Sequence, residues 1–453
     1  MIFFKRKRLI IWLIKAYFKK HGRTALLFFA AGLFSFLILF LTKDFFVSKL
    51  PFARGETIGY VGSYDVDTLP PNILLRISSG LTFVDDKGNI SSALATSWKI
   101  EDGGKKYTFK IRENVFFSDG EKFTSESVNY DFENVTAERP DDYTIVFKLR
   151  DNYSPFLVTV ARPIFKKGFV GVGEYKLKDL KLNGDFVESI SMSSRKDKYK
   201  TVSYQFYPTQ ESLKTAFVLG EASQITGLSD IKFKNTTLDK FESTKVVKNV
   251  SADKLVVLFY NTQDSVLSDN KIRKALTYAL PDTFDLGLRN SSPFPPNSWA
   301  RSESLVTPIT QNYNHARLLL SESSASSAAS LSFEIKTLPQ YEDSAKAISE
   351  AWKELNVKTT ISVVDSIPTS FQIFLGDFNL SKDPDEYPLW HSRQTSNITK
   401  YRNLRIDKLL EDGRKEINTN ERKAIYANFE KYILDDAPAS FLYLPYNYEV
   451  TRL

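Results

Sequence analysis

Between Leu81 and Glu133 turn residues interrupt the chain so often that only short strands fit there. Asp85-Asp86-Lys87-Gly88-Asn89, Asp102-Gly103-Gly104 and Ser118-Asp119-Gly120 are three turn clusters. In each, a glycine can take positive φ and an Asp or Asn can bond its own backbone. Between the turns, Tyr107, Phe109 and Ile111 alternate with Thr108, Lys110 and Arg112, so a strand there has one apolar and one polar face. Thr124 has the chemistry of a helix N-cap, with Glu126 in the first turn, and Val128, Phe132 and Val135 continue at helical spacing. A series of strands followed by a helix is therefore expected.

At 453 residues the chain is too long for one ordinary core, and two or three lobes are expected. Alternation marks further strands at Thr57–Val61, at Tyr143–Leu149 and at Val202, Tyr204 and Phe206. The helical segment Glu211–Leu219 stops at Gly220, a suitable residue to follow a helix. Leu255–Tyr260 is continuously apolar, as a strand covered on both faces must be, and a helix with Ile272, Ala275, Leu276 and Ala279 on one face follows it. A strand with Leu331, Phe333 and Ile335, a helix with Ala345, Ile348, Trp352 and Leu355, and a strand over Val357–Val364 form a β–α–β order. That order predicts a mixed α/β lobe with a right-handed crossover. Residues 321–330 read as a flexible surface loop, and helices near 405–417 and 421–434 precede a last strand at Phe441–Leu444.

Residues 24–42 are 19 uncharged, mostly apolar residues. As a helix they would span roughly 28 Å, about one hydrocarbon core. Eight Lys and Arg and no acid lie before or at the start of this run, which puts the N-terminus in the cytoplasm and the body outside. A cleaved signal peptide would need a shorter apolar region and a small-residue cleavage site, and a lipoprotein would need a Cys. An uncleaved signal anchor is the favoured reading. Without those eight cations the body carries 53 Lys and Arg against 54 Asp and Glu, which gives no argument for nucleic-acid binding. The absence of Cys excludes disulfides, zinc–thiolate sites and a cysteine nucleophile, and three His make a histidine-rich metal site unexpected. There is no G-x-S-x-G, H-E-x-x-H or phosphate-cradling glycine loop, so neither an enzyme nor a cofactor is expected.

Several segments, in this order, resemble the family 5 extracellular solute-binding proteins, which include the peptide-binding proteins of ABC importers. They are Gly80-Leu81-Thr82-Phe83, Ala93-Leu94-Ala95-Thr96-Ser97-Trp98, Tyr107–Arg112, Phe117-Ser118-Asp119-Gly120-Glu121-Lys122-Phe123-Thr124 and Asn270–Leu280. Gly171-Val172-Gly173-Glu174-Tyr175 is similar to the family's G-T-G-P-Y turn, with Val172 and Glu174 as departures. The resemblance implies an α/β, two-lobed, periplasmic-binding-protein-like clamshell of type II-like form with an extra small domain, preceded here by one N-terminal transmembrane helix. The expected divisions are a basic tail (1–23), an anchor (24–42), a linker (43–56), lobe 1 (57–250, with an inserted subdomain near 98–165), lobe 2 (251–438) and a return strand to lobe 1 (439–453).

The acid- and aromatic-rich segment 376–392 follows the apolar strand Phe371–Leu375, and loops at strand ends are where α/β lobes bind ligands. The resemblance implies that Asp377 pairs with a peptide's α-ammonium and that Asp383-Pro384-Asp385 forms the adjoining turn. Either Asp383 or Asp385 could be the partner instead. Tyr387 and Trp390 would pack on the ligand or seal the lobe, and His391 is read as structural. The implied partners are a short peptide or other small solute, an ABC permease, and the membrane through residues 24–42. Family members bind peptides, nickel complexes, haem and sugars. A surface sensor or scaffold that kept the clamshell is the alternative reading.

Overall fold

The computed structural model describes residues 55–453 apart from 198, 303–308 and 325–330, together with 12, 15, 17, 19–24, 27, 28, 30–36 and 38. Of the expected anchor, residues 24, 27, 28, 30–36 and 38 are described and helical, whereas its linker and the tail before it lie largely outside the described residues. Among those described, no helix is long and apolar enough to cross a membrane.

The last strand, Ala439–Arg452, organises everything else. Its first part pairs antiparallel with Lys254–Tyr260, where Ala439 faces Phe259 and Tyr443 faces Val256. Its second part pairs with Thr244–Val250, where Tyr446 faces Val250 and Arg452 faces Thr244, and with Gln224–Leu228. One twelve-stranded sheet consequently runs through both halves of the chain. The first half continues outward through Gly55–Val61, Thr201–Tyr207, Phe186–Ser194 and Tyr175–Asn183. The second continues through Ile373–Asn379, Leu331–Thr337 and Val357–Val363. Among the described residues, Ser251–Asp253, joining Val250 to Lys254, accompanies the last strand as a direct backbone link between the two sheet halves.

The continuous apolar run at Leu255–Tyr260 has two layers to cover. Leu255, Val257 and Phe259 pack with Trp390, Ile406 and Phe429. Val256, Leu258 and Tyr260 pack with Ile272, Leu276 and Trp352. Leu331–Thr337 and Val357–Val363 are parallel, with the helix Glu342–Lys353 between them in sequence, as the β–α–β pattern predicts.

A separate four-stranded antiparallel sheet is built from Ala95–Glu101, Lys106–Ile111, Thr144–Leu149 and Val135–Asp141 around Tyr107, Phe109, Phe147 and Phe156. The helix expected after Thr124 is only a 3-10 turn over Ser125–Ser127, although the capping box between Thr124 and Ser127 forms. The Val128-Asn129-Tyr130-Asp131 segment has weak helix formers, and a short isolated helix is marginal. Tertiary contacts win: Val128 is buried in the subdomain core, and the Tyr130 hydroxyl reaches the Val160 carbonyl at 2.8 Å.

Gly171 and Gly173 lie against the helix Pro71–Ile77. A Cβ at Gly171 would sit 2.2 Å from the Ile77 carbonyl oxygen, and one at Gly173 2.5 Å from that of Arg76. Close backbone approach is what this turn requires of its glycines.

Candidate functional site

Strand Ile373–Asn379 pairs with Lys254–Tyr260 along its whole length, and the ladder carries on to the Leu380 amide, which donates to the Asp253 carbonyl at 2.8 Å. Asp377 therefore lies inside the strand, opposite Val256, and not in a loop beyond Leu375. Strand alternation turns it, like Ile373 and Leu375, toward the layer of Trp352. Its side chain is 13% exposed, and Lys254 Nζ lies 3.3 Å from Oδ2. Tyr341 stands beside it, and burial, then the Asp377 charge, push that phenol well above its ordinary range. Tyr443, also raised by burial, shares a 2.8 Å hydrogen bond with Ser344 Oγ. This group sits at the end of two interior strands of the sheet, beside the link Ser251–Asp253.

The other two acids are held by arginines. Asp383 takes Arg422 in a two-pronged pair, Nη1 to Oδ2 at 2.7 Å and Nη2 to Oδ1 at 2.5 Å. Arg422 also donates to the Gly413 carbonyl at 2.8 Å. Burial disfavours the Arg422 cation, but its hydrogen bonds to Asp383 and the Asp383 charge outweigh that and raise its pKa. Asp385 takes Arg414, Nε to Oδ1 at 2.8 Å and Nη2 to Oδ2 at 2.7 Å. Bidentate, charge-assisted pairs of this kind fix geometry as well as contributing energy.

Arg414 lies over the Tyr387 ring at 3.9 Å, and that ring stacks on His391 with centroids 4.2 Å apart. Buried His391 also approaches Glu411 at 3.3 Å. Trp390 is fully enclosed against Phe259 and Phe441 and seals the lobe, its indole N–H donating to Glu386 at 3.1 Å. Burial, with the Asp385 charge adding to it, pushes the Glu386 carboxyl up to about 8. The structure thus gathers Asp383, Asp385, Tyr387 and Trp390 into one packed unit and sets Asp377 apart from it.

That unit also touches the first half of the chain. The Ser154 amide donates to the Arg414 carbonyl at 2.7 Å and its hydroxyl to the Gly413 carbonyl at 3.1 Å. Both carbonyls belong to the last turn of the helix Leu404–Lys415, where no intrahelical partner remains. Lys382 pairs with Asp86 at 2.7 Å.

Sequence reasoning singled out neither Arg414 nor Arg422. Arg422 did carry a signal, since it falls on the buried stripe of the helix Thr419–Asp436 with Tyr426, Phe429 and Ile433. A charge on an apolar helical stripe asks for a buried partner. Among the described residues no group of three or more His, Cys, Asp or Glu could hold a metal ion.

The sequence profile described as "Bacterial extracellular solute-binding proteins, family 5 Middle" matches residues 89–400. The oligopeptide-binding protein AppA of Bacillus subtilis is 24% identical over 477 aligned residues, covering 87% of this chain and 85% of the relative. The probable D,D-dipeptide-binding periplasmic protein DdpA of Escherichia coli is 22% identical, covering 79% of this chain and 80% of its own. Among solved structures, Bacillus subtilis AppA in complex with a nonapeptide superposes with a TM-score of 0.66 at 22% identity, over 88% of this chain and 94% of that one. NikZ from Campylobacter jejuni in complex with Ni(L-His) gives 0.70 at 20% identity, over 89% and 94%. At these identities the solved structures establish a shared fold.

Proposed function

The chain belongs to family 5 of the bacterial extracellular solute-binding proteins, and from that premise we propose that it holds short peptides between its two lobes and delivers them to an ABC permease. The body would lie outside the membrane, anchored through residues 24–42. The observation that favours the peptide reading is Asp377, the one acid of the proposed set not held by an arginine, partly exposed near the end of its strand and beside the start of the strand that follows the backbone link. A ligand ammonium meeting that partly dry carboxylate makes a charge-assisted bond worth about 1.5–3 kcal/mol. Asp383 and Asp385, with Tyr387 over Arg414 and Trp390 beneath, form a separate packed unit that would shape the other face of this part of the sheet. The likeness to oligopeptide- and dipeptide-binding relatives supports the same ligand class.

The test is the melting temperature of full-length protein in detergent with a varied library of short peptides. A peptide at a hundred times its Kd stabilises the native state by about 2.7 kcal/mol. No shift across the library overturns the peptide reading. For the anchor, full-length protein is expected to stay with membranes through an alkaline carbonate wash, while a chain lacking residues 1–42 is released; release of both refutes anchoring.

A further inference from the structure

Lys254 is the first residue after the backbone link at Ser251–Asp253. It lies two residues before Val256 on the same strand and faces the same layer as Asp377, which is why the two ions meet. The contact is loose: Nζ reaches one oxygen at 3.3 Å and the lysine side chain is 49% exposed. The neighbouring arginines are not comparable, because Arg414 and Arg422 each spend their donors on an acid of their own chain.

An ammonium arriving at Asp377 therefore meets an anion with a cation already beside it. A ligand bringing only an ammonium must push Lys254 aside or sit close to a like charge. A ligand bringing a carboxylate a few bonds from its ammonium meets no such conflict, since its ammonium takes Asp377 and its carboxylate takes Lys254. Four charges then alternate in sign. We propose that Lys254 is a specificity-determining residue that selects ligands whose ammonium and carboxylate lie side by side. Two sources have that chemistry: a free α-amino acid, and a peptide whose first residue is Asp or Glu. The inference rests on Asp377 being the ammonium partner.

The test is calorimetric titration of full-length protein in detergent with Glu-Ala-Ala, Gln-Ala-Ala and free alanine, on wild type, Lys254→Met and Asp377→Asn, with melting curves confirming that each variant is folded. Wild type is expected to bind Glu-Ala-Ala about tenfold or more tightly than Gln-Ala-Ala, the advantage of a charge-assisted over a neutral hydrogen bond. Lys254→Met should bring the two tripeptides to similar affinity, and Asp377→Asn should weaken both. Alanine binding that matches Glu-Ala-Ala and falls in Lys254→Met supports the inference with an α-amino acid as source. Weaker alanine binding with the tripeptide pattern intact supports it with an acidic first residue. Equal affinity of wild type for all three probes, or a preference that survives in Lys254→Met, overturns the role of Lys254 while leaving the peptide reading in place. A folded wild type that binds none of the three overturns this inference, and the wider library then decides the peptide reading separately.

Discussion

Replacing Arg422 by Met probes the packed unit at its centre. The Arg422 and Asp383 side chains are 7% and 5% exposed, so both ions are essentially out of water. The substitution removes both bonds to Asp383, the bond to the Gly413 carbonyl and a 3.2 Å bond to the Tyr426 hydroxyl. It leaves the Asp383 carboxylate buried without its cation, and breaking one side of a buried pair costs about 3–5 kcal/mol. Protonation of the orphaned Asp383 limits the loss. Burial already raises the Asp383 carboxyl above its ordinary range and losing Arg422 raises it further, so the deficit is full at neutral pH and shrinks as pH falls. The double variant Asp383→Leu/Arg422→Met removes both ions and should recover most of the loss, because apolar replacements of buried pairs are often neutral or stabilising. Urea unfolding followed by tryptophan fluorescence reads this out, since Trp299 lies 5.3 Å from the guanidinium. A single variant within 1 kcal/mol of wild type, or a double variant as weak as the single, refutes the assignment of a tightly coupled buried pair.

Three further outcomes follow from named contacts. Glu386 should make wild type lose stability as pH rises from about 4.5 to about 8, because the unfolded carboxyl ionises in that window while the buried one stays protonated. Glu386→Gln keeps an acceptor for Trp390 and should remove a fall of up to ~5 kcal/mol, the gap between the two pKa values at 1.36 kcal/mol per unit; parallel pH profiles of the two proteins would refute this. Ser154→Ala deletes the hydroxyl bond to the Gly413 carbonyl, worth about 1 kcal/mol, and should shift the lobe separation toward longer distances in pulsed electron spin measurements. The chain has no Cys, so paired labels at Asn183 and Ile367 are unambiguous, and an unchanged distance distribution counts against an inter-lobe clasp. Gly171→Ala should cost about 1–3 kcal/mol, because its Cβ would meet the backbone carbonyl of Ile77; a stability equal to wild type would show that the turn tolerates a side chain.

What could be read in advance was local. Alternation at Tyr107, Phe109 and Ile111 depends only on neighbours, and so does the apolar run at Leu255–Tyr260; both strands are where the pattern puts them. The Thr124 helix failed because a cap and a spacing were weighed without the tertiary pull on Val128 and Tyr130. Asp377 was read as a loop residue because the apolar run stops at Leu375, yet the strand is extended by its partner, whose Lys254 faces Asn379. The sequence marks the final strand at Phe441–Leu444 within a return segment over 439–453, and the strand in fact runs through Pro445, over Ala439–Arg452. Proline is tolerated there because the strand changes partners at that point, pairing through Tyr443 on one side and from Tyr446 on the other. The pairing of Asp383 with Arg422 joins residues 39 positions apart, and no local pattern encodes it.

The way charge is distributed between the two sheet halves bears on how they could move against each other. The two sheet halves share one strand and one short link, and a bend at Pro445 and Ser251–Asp253 would leave the clusters on either side intact. Away from that link the halves also meet through Arg414 over the Tyr153 ring at 5.7 Å and through the Ile417 side chain close against Gly104, and through polar contacts, Ser154 on the end of the helix Leu404–Lys415 and Lys382 with Asp86. Each of those polar contacts can exchange its partner for water at a net cost of about 1 kcal/mol or less, whereas the Asp383–Arg422 and Asp385–Arg414 pairs lie within one lobe and need not break. The acids spent on arginines lie on one face of the sheet and the loosely held Asp377–Lys254 pair on the other, so a ligand could rearrange that pair without disturbing them.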